Sequence, residues 1–289
     1  MDLRGKRAYA DTAFRWLVVG AASLVLLILA YIALSMTGRA LPVLDHMGVV
    51  GFIESTRWSP ADQLFGALPF IWGTVFTAAI AVAIAVPISL GVALFVTQIA
   101  PRRWRMPIVY VMDLLAVVPS VVFGLWGVLV LSQHFGLGRS FLTAGIILAI
   151  MITPIITSLA REVLETTPIH EKEAALALGA TRWEMIKGAV WPHSKGGLVG
   201  AVMLGLGRAM GETIAAALVI GSSLGQITLH ALSPGNSMPA VIANEWGEAD
   251  DMHKSALIAL AVLLFFITIA VNLVAEAIVQ RSIARGRGK

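Results

Sequence analysis

The sequence predicts an all-α, polytopic membrane protein with six transmembrane helices and a cytoplasmic helical hairpin, on three observations. Hydrophobic residues make up 58% of the chain and charged residues 13%, with a mean hydropathy of +0.85, outside the usual range of soluble domains. Six mostly apolar runs, each long enough for a ~30 Å hydrocarbon core, fall near 16–37, 70–99, 107–131, 141–162, 198–221 and 255–279. One long polar segment, 163–197, carries the punctuation of two helices.

The first run follows Arg4, Lys6, Arg7 and Arg15, as a signal peptide would. Its apolar stretch from Leu17 to Met36 exceeds an ordinary signal core and leads to no clear small-x-small cleavage site, so a retained signal anchor is expected. Residues 1–69 then form a cytoplasmic tail, a first helix and an outer loop; 70–280 form a core of five helices; 281–289 form a basic cytoplasmic tail. Pro87 and Pro154 are expected to kink their helices. Sixteen of the 21 Lys and Arg fall on one side of these spans, four on the other, and Arg208 inside the fifth. The positive-inside rule puts both termini in the cytoplasm. A basic rim facing anionic lipid accounts for the pI of 9.7 without nucleic acid.

Several chemistries are excluded. There is no cysteine, and the six histidines form no H-E-x-x-H pair, so no metal site is expected. No GxxxxGK[ST] loop is present, so ATP is not bound through a Walker motif of this chain. "GSSLG", Gly221 to Gly225, matches the G-x-S-x-G pattern of a nucleophilic serine but lacks the strand-to-helix turn that activates it. An intramembrane protease using Ser223 with His230 or His253 is the remote reading; a helix terminus is the plain one.

In the segment 163–197, Thr167 is expected to cap a first helix with Pro168 at its first position. Gly179 supplies a left-handed end, Thr181-x-x-Glu184 is a capping box for a second helix, and Pro192 stops that helix. Membrane flanks on both sides argue against a DNA-binding helix-turn-helix. Two readings remain: an interfacial amphipathic pair, or a docking element whose Ala174, Ala175, Ala177 and Gly179 keep the surface low while Trp183 or Met185 anchors a partner.

The stretch "EAALALGATRWEMIKGAVWP" resembles the EAA loop of ATP-binding-cassette importer permeases: Glu173, Ala174, Ala175, Gly179 and Pro192 match the pattern, whereas Ala189 and Trp191 replace its usual Ile and Leu. "PSVVFGLWGVLVL", "GRAMGET" and "IANEWGEA" are similar to phosphate-importer permeases, more the PstC-type than the PstA-type, with the likeness running from about 70 to 280. The resemblance implies a transport subunit, not an enzyme, in a bacterial or archaeal plasma membrane. Its expected partners are a homologous PstA-type permease, a pair of ATPase subunits and an external phosphate-binding protein. It implies no cofactor on this chain, with ATP and Mg used by the ATPase, and a coupling role for Glu173, Ala174, Ala175, Gly179 and Trp183. A permease for phosphonate, sulfate or molybdate is the nearest alternative; a channel or secondary transporter is more distant.

Arg208 and Glu212 stand in the fifth apolar run. Ten residues from Leu198 at ~1.5 Å each place Arg208 about 15 Å deep, where a charge costs at least ~2.5–3.5 kcal/mol. A stabilising i,i+4 pair is a weak explanation, since Arg before Glu is the less favourable order and buried pairs are often replaceable by apolar residues. A pathway or gating role is favoured: guanidinium binds two oxygens of an oxyanion at once. Glu212 is expected either to hold Arg208 until substrate displaces it or to accept the proton of hydrogen phosphate, which sulfate lacks. Gly207-x-x-x-Gly211 with Gly205 is spaced for close helix packing, with Gly124, Gly127 and Pro119 as the expected facing surface. Asp113 is expected to pair with Arg102, Arg103 or Arg105, or to face the pathway. The segment 226–253, with Glu245, Glu248, Asp250 and Asp251, reads as a solvated acidic loop or a contact for the binding protein.

Overall fold

The computed structural model describes the backbone of residues 3–287 and the side chains of 11–274, Glu276 and Ala277. The basic side chains expected at 281–289, and Arg4, Lys6 and Arg7, lie outside the described residues.

The chain opens with α1 (Leu3–Met47) and a short α2 (Val49–Glu54). A two-residue-per-strand hairpin follows, β1 (Trp58–Ser59) antiparallel to β2 (Leu64–Phe65), and leads into α3 (Leu68–Leu94). Next come α4 (Arg102–Val117) and α5 (Ser120–Trp126), the latter continued by a π-helical stretch, Gly127–His134. α6 (Phe141–Glu165) is the scaffold at the centre of the main core, where Ile147, Ile152, Ile156 and Leu164 are buried. The polar segment forms α7 (Ile169–Ala177) and α8 (Arg182–Met185), then α9 (Trp191–Gly211), α10 (Ile214–Val219), α11 (Met238–Glu245) and α12 (Asp251–Arg287).

A second, outer core joins the N-terminal segment to α11 and α12. Phe52, Trp58, Phe65 and Phe70 are buried there with Met238, Leu257 and Leu260. The Ser255 hydroxyl donates to Arg39 O at 3.0 Å and accepts from Val43 N–H at 3.2 Å, pinning the outer end of α1 to α12. Below that contact α1 exposes Leu17, Leu26, Leu27 and Leu34, as a lipid-facing helix does.

The fold is all-α and polytopic, but two of the six expected spans are not simple rods. Among the described residues, four helices are long and apolar enough to cross a membrane, five if the bent α4–α5 pair counts as one span. The third run bends by 94° between α4 and α5. Pro119 is the cause: a proline drives the preceding residue out of the helical region, and Val118 is extended at φ −61°, ψ 127°. The fifth run breaks where Glu212 becomes extended at φ −69°, ψ 125°. α9 itself is long enough, roughly 30 Å at 1.5 Å per residue, but His193, Lys195, Arg208 and its glycines lower its hydropathy. Pro87 and Pro154 lie inside α3 and α6 without breaking either.

Pro192 does not stop the second hairpin helix. A π turn, Ile186–Val190, joins α8 directly to α9, and Pro192 falls in the first turn of α9. The wider turn lets Trp191 N–H bond Ile186 O, so the missing proline N–H leaves no gap in a strict i−4 ladder. The backbone is therefore helical from Arg182 to Gly211.

Candidate functional site

α9 has two unlike faces. One packs on α6 through Leu198, Ala201 and Gly205, and a Cβ built on Gly205 would stand 2.5 Å from Ile156 Cγ1. The other face, with Gly196, Gly200, Gly207 and Arg208, lines a cavity of about 700 Å³ closed on its far side by Thr268, Asn272 and Glu276 of α12. Arg208 is exposed to this cavity and, among the described residues, has no ion pair. Roughly 25 Å of helix separate it from Trp191.

The pairing of Arg208 with Glu212 expected at i,i+4 does not occur. α9 ends at Gly211, so Glu212 leaves the helical face, and its carboxylate accepts from Ala215 N–H at 3.4 Å at the start of α10. Glu212 lines a separate small cavity with Thr74, Thr77 and Ser237. In this conformation it neither holds Arg208 nor shares the space a substrate at Arg208 would occupy.

The glycine expectations divide. Gly205 makes the close helix contact, whereas a Cβ on Gly207 or Gly211 would meet nothing within 4 Å, so the expected packing at those two positions is not made within this chain. Gly124 and Gly127 do form a facing surface, but for α10: a Cβ on Gly124 would lie 2.7 Å from Leu218 Cδ1, and one on Gly127 3.0 Å from Val219 Cγ1.

Asp113 makes no ion pair with Arg102, Arg103 or Arg105 among the described residues. Arg105 pairs with Glu165 instead, and Asp113 is not among the residues that line the Arg208 cavity. Asp113 lines a cavity of about 10 Å³ between α4 and α6 with Arg161 and Thr157.

The hairpin follows its local signals. Gly179 has φ +84° with open space around it, so glycine is needed for the backbone and not for room. Glu184 accepts from both the N–H and the hydroxyl of Thr181 at 2.8 Å, while Thr181 Oγ1 accepts from Glu184 N–H at 3.3 Å. Those bonds, the backbone one foremost, hold the Glu184 carboxyl below its usual range. Two details differ from the sequence reading. The first helix is capped at Pro168, because the Thr167 hydroxyl is taken by Ser194 at 3.3 Å. Of the two anchor candidates, Met185 is buried, whereas Trp183 is 62% exposed. Glu173, Ala174 and Gly179 are exposed and Ala175 is half-buried; with Leu178, 90% exposed, they give the hairpin an uncovered tip.

The segment 226–253 is a solvated acidic loop only in part: Glu248, Asp250 and Asp251 are exposed, but Glu245 is tied into the fold. Glu245 Oε2 accepts from Trp58 Nε1 and pairs with His253 Nε2, both at 2.8 Å, and Asp250 Oδ1 accepts from His253 N–H. Ala231 O and Ser233 O accept the N–H groups of Leu142 and Phe141, satisfying donors at the start of α6. His230 Nδ1 lies against Ser233, so the two histidines of the protease reading have partners other than Ser223.

Residues 85–284 match the family model described as binding-protein-dependent transport system inner membrane component. The chain belongs to this family. It is thus a multi-pass membrane subunit of an ATP-binding-cassette importer, a transport subunit and not an enzyme, working with ATPase subunits and a binding protein. The phosphate transport system permease protein PstC of Xylella fastidiosa (strain Temecula1) is 42% identical, the match covering 97% of this chain and 93% of that protein. Its counterparts in Mesorhizobium japonicum and Haemophilus influenzae are 38% and 37% identical, over 96% and 95% of this chain and 92% and 95% of theirs. Among solved structures, a bacterial alginate ABC transporter in complex with an alginate pentasaccharide-bound periplasmic protein superposes with a TM-score of 0.64 at 14% identity, over 96% of this chain and 98% of that one. The inward-facing MetNI methionine ABC transporter superposes at 0.61 and 17% identity, over 73% of this chain and 94% of that one. At those identities the likeness is one of fold.

Sequence reading missed the α12 wall of the cavity. Thr268, Asn272 and Glu276 recur at i, i+4 and i+8 in an otherwise apolar helix, a pattern visible in the sequence.

Proposed function

We propose that the chain is the PstC-type permease subunit of an ATP-driven importer of inorganic phosphate, forming half of the translocation pathway, with both termini in the cytoplasm. The relatives' names supply the anion, and the position of Arg208 carries the mechanism. A permanently charged guanidinium stands on the open face of α9, without an ion pair among the described residues, at the end of a helical run that begins in the EAA hairpin.

The chain does no covalent chemistry. A pair of ATPase subunits, using ATP and Mg, closes on the hairpin tip, with Glu173, Ala174, Ala175, Gly179 and Trp183 at the contact. The continuous helix from Arg182 to Gly211 carries that movement to Arg208. Arg208 binds two oxygens of phosphate and releases it when the cavity opens inward. A homologous PstA-type subunit completes the pathway against the open surface at Gly207 and Gly211, and a phosphate-binding protein delivers the anion from outside.

The test is ATP-dependent uptake of labelled phosphate into vesicles containing the co-expressed transporter and the phosphate-binding protein. Uptake that requires ATP and is not competed by excess sulfate, molybdate or phosphonate is expected. Uptake of one of those anions in place of phosphate would overturn the substrate assignment.

A further inference from the structure

Arg208 does not face an apolar wall. Across the cavity, α12 presents Thr268, Asn272 and Glu276 on a single face. The Thr268 hydroxyl donates to Leu264 O at 2.8 Å, the usual way such a residue satisfies itself inside a helix. Asn272 has no such arrangement: its half-buried amide has no partner among the described residues. The amide opens onto the cavity, so its hydrogen-bonding partner, water or solute, comes from the cavity itself.

We infer that Asn272 is a second anion-contacting residue of the pathway, donating its amide N–H groups to the phosphate that Arg208 binds from the opposite wall. This rests on the phosphate reading above. The chemistry is complementary: guanidinium supplies charge and two parallel donors, while a neutral amide adds donors without trapping the ion. Conduction requires contacts strong enough to admit an ion and weak enough to release it, which suits a neutral second contact better than a second cation. One turn further along α12 the stripe changes character at Glu276, where an acceptor replaces the amide donor. The glycines at 196, 200 and 207, set among Val199, Met203 and Leu204 on the same α9 wall, keep space open opposite this stripe.

The experiment uses the assembled transporter with its binding protein in vesicles. Asn272→Leu removes the donors while keeping the same side-chain branching, and Asn272→Asp replaces them with a charged acceptor. At matched assembly, phosphate uptake is expected to fall about tenfold or more for Leu, the scale of a lost hydrogen bond to a charged group, and further for Asp. Wild-type uptake by both variants would overturn the inference while leaving the phosphate reading intact. Failure of the wild type itself to take up phosphate would instead overturn that reading.

A second measurement holds even if those variants assemble poorly. The chain has no cysteine, so Asn272→Cys and Leu273→Cys each introduce one thiol for a membrane-impermeant anionic reagent, with labelling read on this chain by mass. Leu273 lies outside the cavity lining and is 61% exposed. Labelling at 272, slowed by phosphate and absent at 273, is expected. Silence at 272, as lipid or a partner helix filling the cavity would produce, overturns the inference, as does labelling that phosphate does not slow.

Discussion

The two ends of α9 are built oppositely. At the inner end, α8 passes through a π turn into α9 with no break, and Pro192 is absorbed in the first turn. At the outer end the helix stops at Gly211, Glu212 is extended, and α10 is held separately against α5 and α6 by the close contacts at Gly124 and Gly127. A displacement of the hairpin therefore reaches Arg208 through a rigid helix but meets a joint just beyond it. Arg208 is the last charged residue on the moving side of that joint. In the mechanism proposed above, this span acts as two pieces, a lever carrying the charge and a fixed outer block.

The largest effect should come from breaking the lever. Inserting two glycines after Gly188 is expected to leave the complex assembled and hydrolysing ATP while phosphate transported per ATP falls to background. Unchanged coupling would show that movement reaches Arg208 by another route.

Contrast between the two faces of α9 gives the next largest change. Gly205→Leu forces a side chain into Ile156 and should destabilise the subunit by about 1–3 kcal/mol, seen as a lower unfolding midpoint in detergent. Gly207→Ala adds a methyl where nothing stands within 4 Å and should leave the midpoint unchanged or raise it by the helix preference of alanine, about 0.5–1 kcal/mol. Equal effects would contradict the division into a packed and an open face.

Smaller again is the hairpin turn. At Gly179, φ +84° makes an alanine strained by about 1 kcal/mol, and Gly179→Ala should weaken ATPase binding several-fold without altering the membrane core, measured by co-purification across a detergent titration.

The smallest effect is the pH response of the capping box. The folded Glu184 carboxyl titrates below its ordinary value of 4.5, so its contribution is fully present above that value and is lost as pH falls through the lowered one. ATPase binding should thus show no dependence on this group near neutrality, and Glu184→Gln should weaken it only slightly. A wild-type loss of binding near neutrality that Glu184→Gln abolishes would be contrary evidence.

What was legible in the sequence follows the range of the forces involved. The membrane class, the apolar runs and the turn at Gly179 with its Thr181–Glu184 box rest on contacts within a few residues, and each could be read directly. The outer segment could not, because Glu245 is satisfied by Trp58 from the far end of the chain and Met238 N–H by Thr74. The break at Glu212 carries no proline, and α10 owes its placement to close contacts with Gly124 of α5 and Gly127 of the π-helical stretch, both distant in sequence. Pro192 misled for a different reason, since a π turn before a proline removes the penalty that makes it a stop signal. Arg208 stood out as an intramembrane charge, but the face it occupies and the α12 residues opposite it depend on how α9 rotates against α6.

The most direct test of the account is phosphate uptake and ATP hydrolysis measured together on vesicles containing wild-type, Arg208→Ala and Arg208→Lys transporters at matched assembly. Ala is expected to abolish uptake while hydrolysis stimulated by the binding protein persists, and Lys, which keeps the charge but loses the bidentate fork, to restore only part of it. Wild-type uptake by Arg208→Ala would contradict this, because the charge would then serve neither the anion nor the lever that carries it.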